Sequence, residues 1–412
     1  MSRVAGCFAA FLSVAVAPPA PSPSPAPSGA GVVLAEIDRR VRAEFWDPKL
    51  KGAAWGAAVE HASRDLPNAA TDAERDAVFD RLLAVLDDSH TFRVPAGRLP
   101  EKDWATAGLR IGRSGDGCAV KGVLPGGSAE RAGLKVGDAV VSVGGRPCGG
   151  PQRMTFRDLF LSLEGQPRGS VEVIWRAPGA ASRTAQLPLE PEPAGDALVW
   201  KSARVIRRGG RAWGYLRIWG MSAETALAVV DLLSDRVEAA RASSALAGFD
   251  AIEGLLLDVR GNSGGYEPDI LTTFLRGRWS AGDYWVRSRD GRRLVPPEYR
   301  PLPVALLVNS GTASAGEALA VKFRRHAIGP VVGEETAGML SGGASFARLS
   351  DGSGLWLTAR AVEDEAGRPW EGRPVRPDVV IEDRPGEKPG DEDRIVEGAI
   401  RELARRSAAA GR

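Results

Sequence analysis

Apolar residues recur at spacings of three and four early in the chain, at Leu34, Ile37, Val41 and Phe45 and again at Val78, Leu82, Val85 and Leu86. That period is helical, so residues 33–100 are expected to form a small N-terminal helical domain. Its end is the polar cluster Asp87-Asp88-Ser89-His90-Thr91, which closes an amphipathic helix. From about residue 101 the pattern changes to short β-type runs, at 108–111, 120–123, 136–143 and 171–175, separated by Gly and Pro. A β-rich module over 101–195 follows. Beyond it, residues 213–219, 254–260 and 304–309 are largely apolar runs alternating with helical stretches. Continuous apolar strands are those covered on both faces, so 196–385 reads as an α/β domain. A charged helix at 392–405, within the terminal segment 386–412, completes an α+β multidomain chain.

The length agrees with this division, because single cores stop growing near ~250–300 residues and the chain has 412. No apolar run in its body reaches the ~18–20 residues of a membrane span. A net charge of +2 offers no broad attraction for nucleic acid or anionic lipid. Cys7, Cys118 and Cys148 are too few for a disulfide framework and lack zinc-ligand spacing, and the three histidines are scattered. Neither a metal nor a cofactor is therefore expected. Arg3, the apolar stretch 4–16 and Ala15-Val16-Ala17 have the layout of a secretory signal peptide. Export to the periplasm or beyond is the expectation, although Pro18 directly after that pattern leaves the cleavage point unassigned. The apolar run before Gly6-Cys7 is too short for a lipidation signal. A Pro/Ser/Ala/Gly-rich tether then carries the segment 1–32 to its end.

The β module has a recognisable order: the run at 108–111, the strand at 120–123, Ser128-Ala129-Glu130-Arg131-Ala132-Gly133-Leu134, then 136–143, 159–165 and 171–175. It resembles a PDZ domain of the bacterial protease type. The resemblance implies that Gly108, Leu109, Arg110 and Ile111 form a loop offering N–H groups to a peptide's terminal carboxylate, with a strand edge that accepts the peptide as an added strand.

Three blocks carry candidate chemistry. In Asn309-Ser310-Gly311-Thr312-Ala313-Ser314-Ala315-Gly316-Glu317, Ser314 stands where a buried strand gives way to a helix. A serine there is commonly an N-cap, but a helix N-terminus also supplies N–H groups and a dipole to a developing anion. Asp258-Val259-Arg260-Gly261-Asn262-Ser263-Gly264-Gly265 ends another strand in glycines that let backbone approach a ligand. Gly333-Glu334-Glu335-Thr336-Ala337-Gly338 lies 19 residues past Ser314.

In this order, behind a PDZ-like module, the blocks resemble the S41 peptidases, a group that includes the tail-specific and tricorn-core-like proteases. The resemblance runs from about residue 35 to 382 and implies a ClpP/crotonase-like peptidase core acting on unstructured or C-terminally presented polypeptides. Ser314 falls on the family's nucleophile, and the amides of Ala315 and of Gly264 or Gly265 on its oxyanion hole. In the family's Ser/Lys branch a lysine follows the Gly-x-x-Thr-x-Gly element; here Met339, Leu340 and Ser341 follow. Lys322, about two helical turns beyond Ser314, would point away from it. The tricorn-like branch instead uses a Ser-His pair, matched by Ser89-His90, with a distant glutamate. Glu371 is the best candidate, and Glu363, Asp364 and Glu365 compete. His90 would serve as general base, and Ser89 would fix its tautomer; His61 lies in a helical stretch and His326 at a helix end, where a protonated side chain suits the dipole, and neither is a catalytic candidate. The alternative is a non-catalytic binder of peptides or small hydrophobic ligands on the same scaffold.

Overall fold

The computed structural model describes residues 29–99, 105–148, 164–165, 169–233, 244–266, 269–276, 286–287, 293–294, 302–383 and 393–410. The signal-like segment, nearly all of the tether and the stretch 159–163 lie outside the described residues.

Helices α1 (Ala30–Glu44), α2 (Trp55–Asp65) and α3 (Asp72–Ala84) form the N-terminal cap. A capping box starts α3: Thr71 accepts the Glu74 N–H, and the Glu74 carboxylate accepts the Thr71 N–H. Val33, Leu34, Ile37 and Val41 of α1 share a core with Trp55 and with Val78, Phe79, Leu82 and Leu83 of α3. Val85, which the spacing assigned to this face, is 39% exposed. The buried face runs through 78, 79, 82, 83 and 86, which turns Val85, just past the end of the helix, to the rim. The chain then enters the short strand β1 (Phe92–Val94).

Strands β2 (Leu109–Ser114), β3 (Gly117–Val123), β4 (Ala139–Val143), β5 (Ser170–Arg176) and β6 (Arg183–Pro188) form an antiparallel sheet in that order, with the turn of helix α4 (Ser128–Arg131) after β3. Val171, Val173 and Trp175 alternate into its core. Here one expectation fails: Cys118 and Cys148 form a disulfide with Cα atoms 5.7 Å apart. Cys118 pairs with Val140 across β3 and β4, and the chain folds back so that the Cys148 N–H donates to the Val141 carbonyl. Sequence spacing could not reveal that return. Closing a loop of 30 residues should stabilise the module by about 3–4 kcal/mol in the chain-entropy description. Cys118→Ser is expected to lose most of that in urea unfolding, and added reductant should have no further effect on the variant.

The third region contains α5 (Gly195–Ser202), β7 (Arg204–Arg208), β8 (Arg211–Arg217), α6 (Ala223–Leu233), β9 (Gly254–Asp258), α7 (Asp269–Leu275), β10 (Val304–Val308), α8 (Ala315–Arg325), β11 (Val331–Gly333), β12 (Ala344–Arg348), β13 (Gly354–Thr358), β14 (Val379–Val380) and α9 (Arg394–Ala410). Its main sheet has the order β7-β8-β9-β10-β11-β14, parallel from β8 onward. Leu255, Leu257, Leu306 and Val308 meet α6 and α8 on one face. Leu256, Ala305, Leu307 and Val332 meet Val396, Ile400 and Leu403 of α9 on the other. Both faces are dry, which is why these strands read as unbroken apolar runs. Among the described residues no helix is long and apolar enough to cross a membrane.

Two junctions position the site. β12 and β13 leave the main sheet and join β1 in a separate antiparallel sheet, β1-β13-β12, with Phe92 opposite Trp356 and Trp356 opposite Phe346. Leu355 and Leu357 complete the cap core, so the cap is built on a late segment of the chain. On the other side, Lys121 of β3 reaches Glu334 at 2.7 and 2.8 Å, its carbonyl accepts from Asn309 Nδ2, and Ser310 Oγ donates to the Arg113 carbonyl. The β2–β3 hairpin thus rests on the loop that follows β10.

Candidate active site

β10 ends at Val308, and the chain crosses to α8 through a tightly bonded loop. Asn309 N–H donates to Thr312 Oγ1, Thr312 Oγ1 donates to the Val259 carbonyl, and Ala313 N–H donates to the Asn262 carbonyl. Ser314, at the N-cap of α8, has φ 52° and ψ −121°. A non-glycine residue there stores roughly 1–3 kcal/mol of strain and persists only where its surroundings hold it. The Ser314 N–H is held twice, by the Met339 carbonyl at 3.1 Å and Glu317 Oε2 at 3.2 Å. The turn directs the hydroxyl out of the sheet end, toward the cap.

There it meets His90. His90 Nε2 lies 3.2 Å from Ser314 Oγ, His90 Nδ1 lies 2.8 Å from Ser89 Oγ, and Ser89 Oγ donates to Glu371 Oε2 at 2.9 Å. Glu371 Oε1 also accepts the Ser89 N–H at 3.1 Å. An ionised carboxylate only accepts, so the Ser89 proton points to Glu371 and the Ser89 lone pair accepts from Nδ1–H. That leaves the Nε2 lone pair facing Ser314. Asp88, absent from the sequence-based candidates, pins this loop: its Oδ1 accepts from the His90 N–H, Thr91 Oγ1 and Thr358 Oγ1. Lys51 Nζ binds the Asp87 carbonyl at 2.5 Å.

The glycine loop lies against Ser314. A Cβ on Gly264, at φ +114°, would come within 2.6 Å of Ser314 Cβ, so no side chain fits. The Gly264 N–H already donates to Asn262 Oδ1, which narrows the paired alternative. Gly265 bridges Met221 in parallel fashion, through the Gly264 carbonyl and the Tyr266 N–H. In such a bridge the central residue's own amide faces away from the partner strand. The amides of Gly265 and Ala315 are the donors left without a partner among the described residues.

Glu317, which in the sequence only ends the serine motif, joins that site to its surroundings. It is fully buried, and its carboxylate accepts from the Ser314 N–H, Thr336 Oγ1, Gly338 N–H and Met339 N–H. One side chain thereby ties the Ser314 backbone to the 336–339 segment. Burial pushes its carboxyl up to about 7 against the pull of these donors. The folded state holds the proton more tightly than the unfolded one, so this group's stabilising contribution is full below about 4.5 and is lost as pH rises through about 7. At about 1.4 kcal/mol per tenfold in proton affinity, the loss is about 3 kcal/mol. Glu317→Gln is expected to flatten that part of the stability-versus-pH curve between pH 4.5 and 7, measured by urea midpoints.

The remaining candidates fall elsewhere. Asp364 closes its own turn with Arg368 and Arg373, which hold its carboxyl down to about 2. Glu365 lies near Arg325, and Glu363 sits in a bridge to Pro369. Lys322 lies in the last turn of α8, His326 caps that helix at the far end, and His61 is exposed on α2. Met339 is buried with Ala313 and Ala337 beside Ser314. Gly108, Leu109, Arg110 and Ile111 form no open loop: Leu109, Arg110 and Ile111 belong to β2 and are buried, and the Gly108 N–H donates to Thr106 Oγ1. Pairing with β3 extends the strand to the point where a loop was expected.

Residues 212–381 match Peptidase family S41, and residues 120–176 match the PDZ domain. A chloroplastic C-terminal processing peptidase of Tetradesmus obliquus is 31% identical over 379 residues, covering 85% of this chain and 77% of the relative. Tricorn protease homolog 1 of Streptomyces coelicolor is 27% identical over 389 residues, covering 89% of this chain but 34% of the relative. Among solved structures, a photosystem II D1 C-terminal processing protease superposes with a TM-score of 0.56 at 25% identity, covering 86% of this chain and 94% of that one. With the relative's coverage added to the fold, the chain belongs to peptidase family S41, as a serine-type peptidase with a PDZ domain.

Proposed function

We propose that this protein is an endopeptidase for unstructured or C-terminally presented polypeptides, with Ser314 as nucleophile and His90 as general base. The observation that carries this reading is the chain of contacts from Ser314 Oγ through His90 and Ser89 to Glu371. His90 takes the Ser314 proton during attack on the peptide carbonyl and returns it to the leaving amine. Ser89 and Glu371 hold the tautomer whose Nε2 lone pair faces Ser314. The oxyanion is received by the amides of Gly265 and Ala315, at the positive end of α8. An imidazole suits this exchange near neutral pH without the desolvation a lysine needs.

The Cys118–Cys148 disulfide supports an exported protein working in an oxidising compartment, as does the signal-like composition of residues 1–17. The test is exposure to a fluorophosphonate and to an unfolded polypeptide. Labelling mapped to Ser314, with cleavage that the label blocks, supports the reading. Peptide binding without labelling or cleavage would instead make the protein a binder.

A further inference from the structure

In the sheet β1-β13-β12, β12 lies two strands from β1, which begins just after His90. β12 pairs with β13 on one side, and no other strand among the described residues pairs with it. Antiparallel ladders alternate bonded and non-bonded pairs. The Leu349 N–H donates to the Ser353 carbonyl, which makes that pair a bonded one. In the register Ala344 opposite Thr358 and Phe346 opposite Trp356, these two pairs are then non-bonded. Thr358 agrees: its N–H donates to Thr91 Oγ1 and its carbonyl accepts from Trp46, both away from β12. The N–H and C=O groups of Ala344 and Phe346 therefore point outward from the free edge.

This edge leads directly out of the site. Met339 holds the Ser314 amide. Ser341 carries a buried hydroxyl without a partner among the described residues. Gly343, at φ +120°, has open space around its Cα. Ala344 then lies across from Thr358, whose N–H is bonded to Thr91 beside His90. At about 4.8 Å per strand, two strand spacings put the start of β12 roughly 10 Å from β1, within reach of a few extended residues. Phe346 is 49% exposed and packs on Trp356 at 4.5 Å, and Trp356 stacks on Phe92 at 5.4 Å. Proteins usually blunt an open strand edge with charge or proline; this one carries the exposed Arg348 at its far end and presents the aromatic ring of Phe346 between Ala344 and Arg348.

We propose that β12 is a docking edge for the substrate polypeptide. An extended chain with its scissile carbonyl at Ser314 adds to β12 through the outward groups of Ala344 and Phe346, and places an apolar or aromatic side chain on Phe346 several residues from the cleaved bond. This rests on the serine-peptidase reading of Ser314 and adds a subsite to it.

Two fluorogenic peptides test it: a short one spanning the cleaved bond, and a long one with four more residues on each side carrying Leu or Phe. Ala344→Pro removes an outward N–H without touching the β12–β13 ladder, and Phe346→Ser removes the ring. Each is expected to lower the long-to-short ratio of kcat/KM about tenfold, while Phe346→Leu restores most of it. In a Ser314→Ala background, fluorescence anisotropy should show the Kd of the long peptide rising about tenfold with either change. An unchanged ratio and an unchanged Kd in both variants, with Ser314 still labelled by fluorophosphonate, would overturn the docking edge. If Ser314 resists labelling in the parent while the Kd still depends on Phe346, the edge stands and the catalytic reading falls.

Discussion

Replacement of Ser314 by Ala is expected to lower cleavage of an unfolded protein by roughly four to six orders of magnitude, the range seen when a serine nucleophile is removed. The variant keeps every backbone bond that shapes the turn. The N–H of residue 314 still donates to Met339 and Glu317, and its carbonyl still accepts from Glu317 and Ala318. The contact to His90 Nε2 disappears. The melting temperature should therefore stay within about 2 °C of the parent's, a shift corresponding to no more than roughly 2 kcal/mol for a protein of this size. Residual turnover within tenfold of the parent would assign the nucleophile elsewhere.

His90→Ala is expected to lower kcat by roughly four orders of magnitude or more, with a much smaller change in KM. In the proposed mechanism the imidazole moves a proton only as the tetrahedral intermediate forms and collapses, so its removal falls on the transition state. The loop around it is held by other means: Asp88 by Thr91 and Thr358, and Ser89 by Glu371. The lost side chain leaves a hole between Ser89 and Ser314, and added imidazole should restore part of the rate. Single-turnover measurements with and without imidazole check this. A loss that appears mainly in KM would make His90 a substrate contact.

The layering of the chain was legible because its periods are distinct. Helical spacing marks the cap, and unbroken apolar runs mark β9 and β10, whose two faces are buried by α6 and α8 on one side and α9 on the other. Ser314, His90, Ser89 and Glu371 were singled out by motif and resemblance, and the structure brings these four within hydrogen-bond reach of one another. What the sequence concealed depends on long-range register. The disulfide needs the return of the chain after β4 to bring Cys148 level with Val141. The β1–β13 pairing joins Phe92 to Trp356, a juxtaposition with no local pattern. Glu317 stands in the first turn of its helix, where the dipole favours any acid; its burial against Thr336, Gly338 and Met339 sets it apart. Gly108 to Ile111 was misread because glycine before an apolar triplet suits a loop or a strand equally, and pairing with β3 decided for the strand.

The central claim is that His90 activates Ser314, and the rate of fluorophosphonate attachment to Ser314 as a function of pH tests it most directly. In the parent protein the rate should rise with pH to a plateau, while His90→Ala should label at least a thousandfold more slowly and without that plateau. A parent rate that keeps climbing into the range of a lysine, ~10, together with undiminished labelling of His90→Ala, would contradict it.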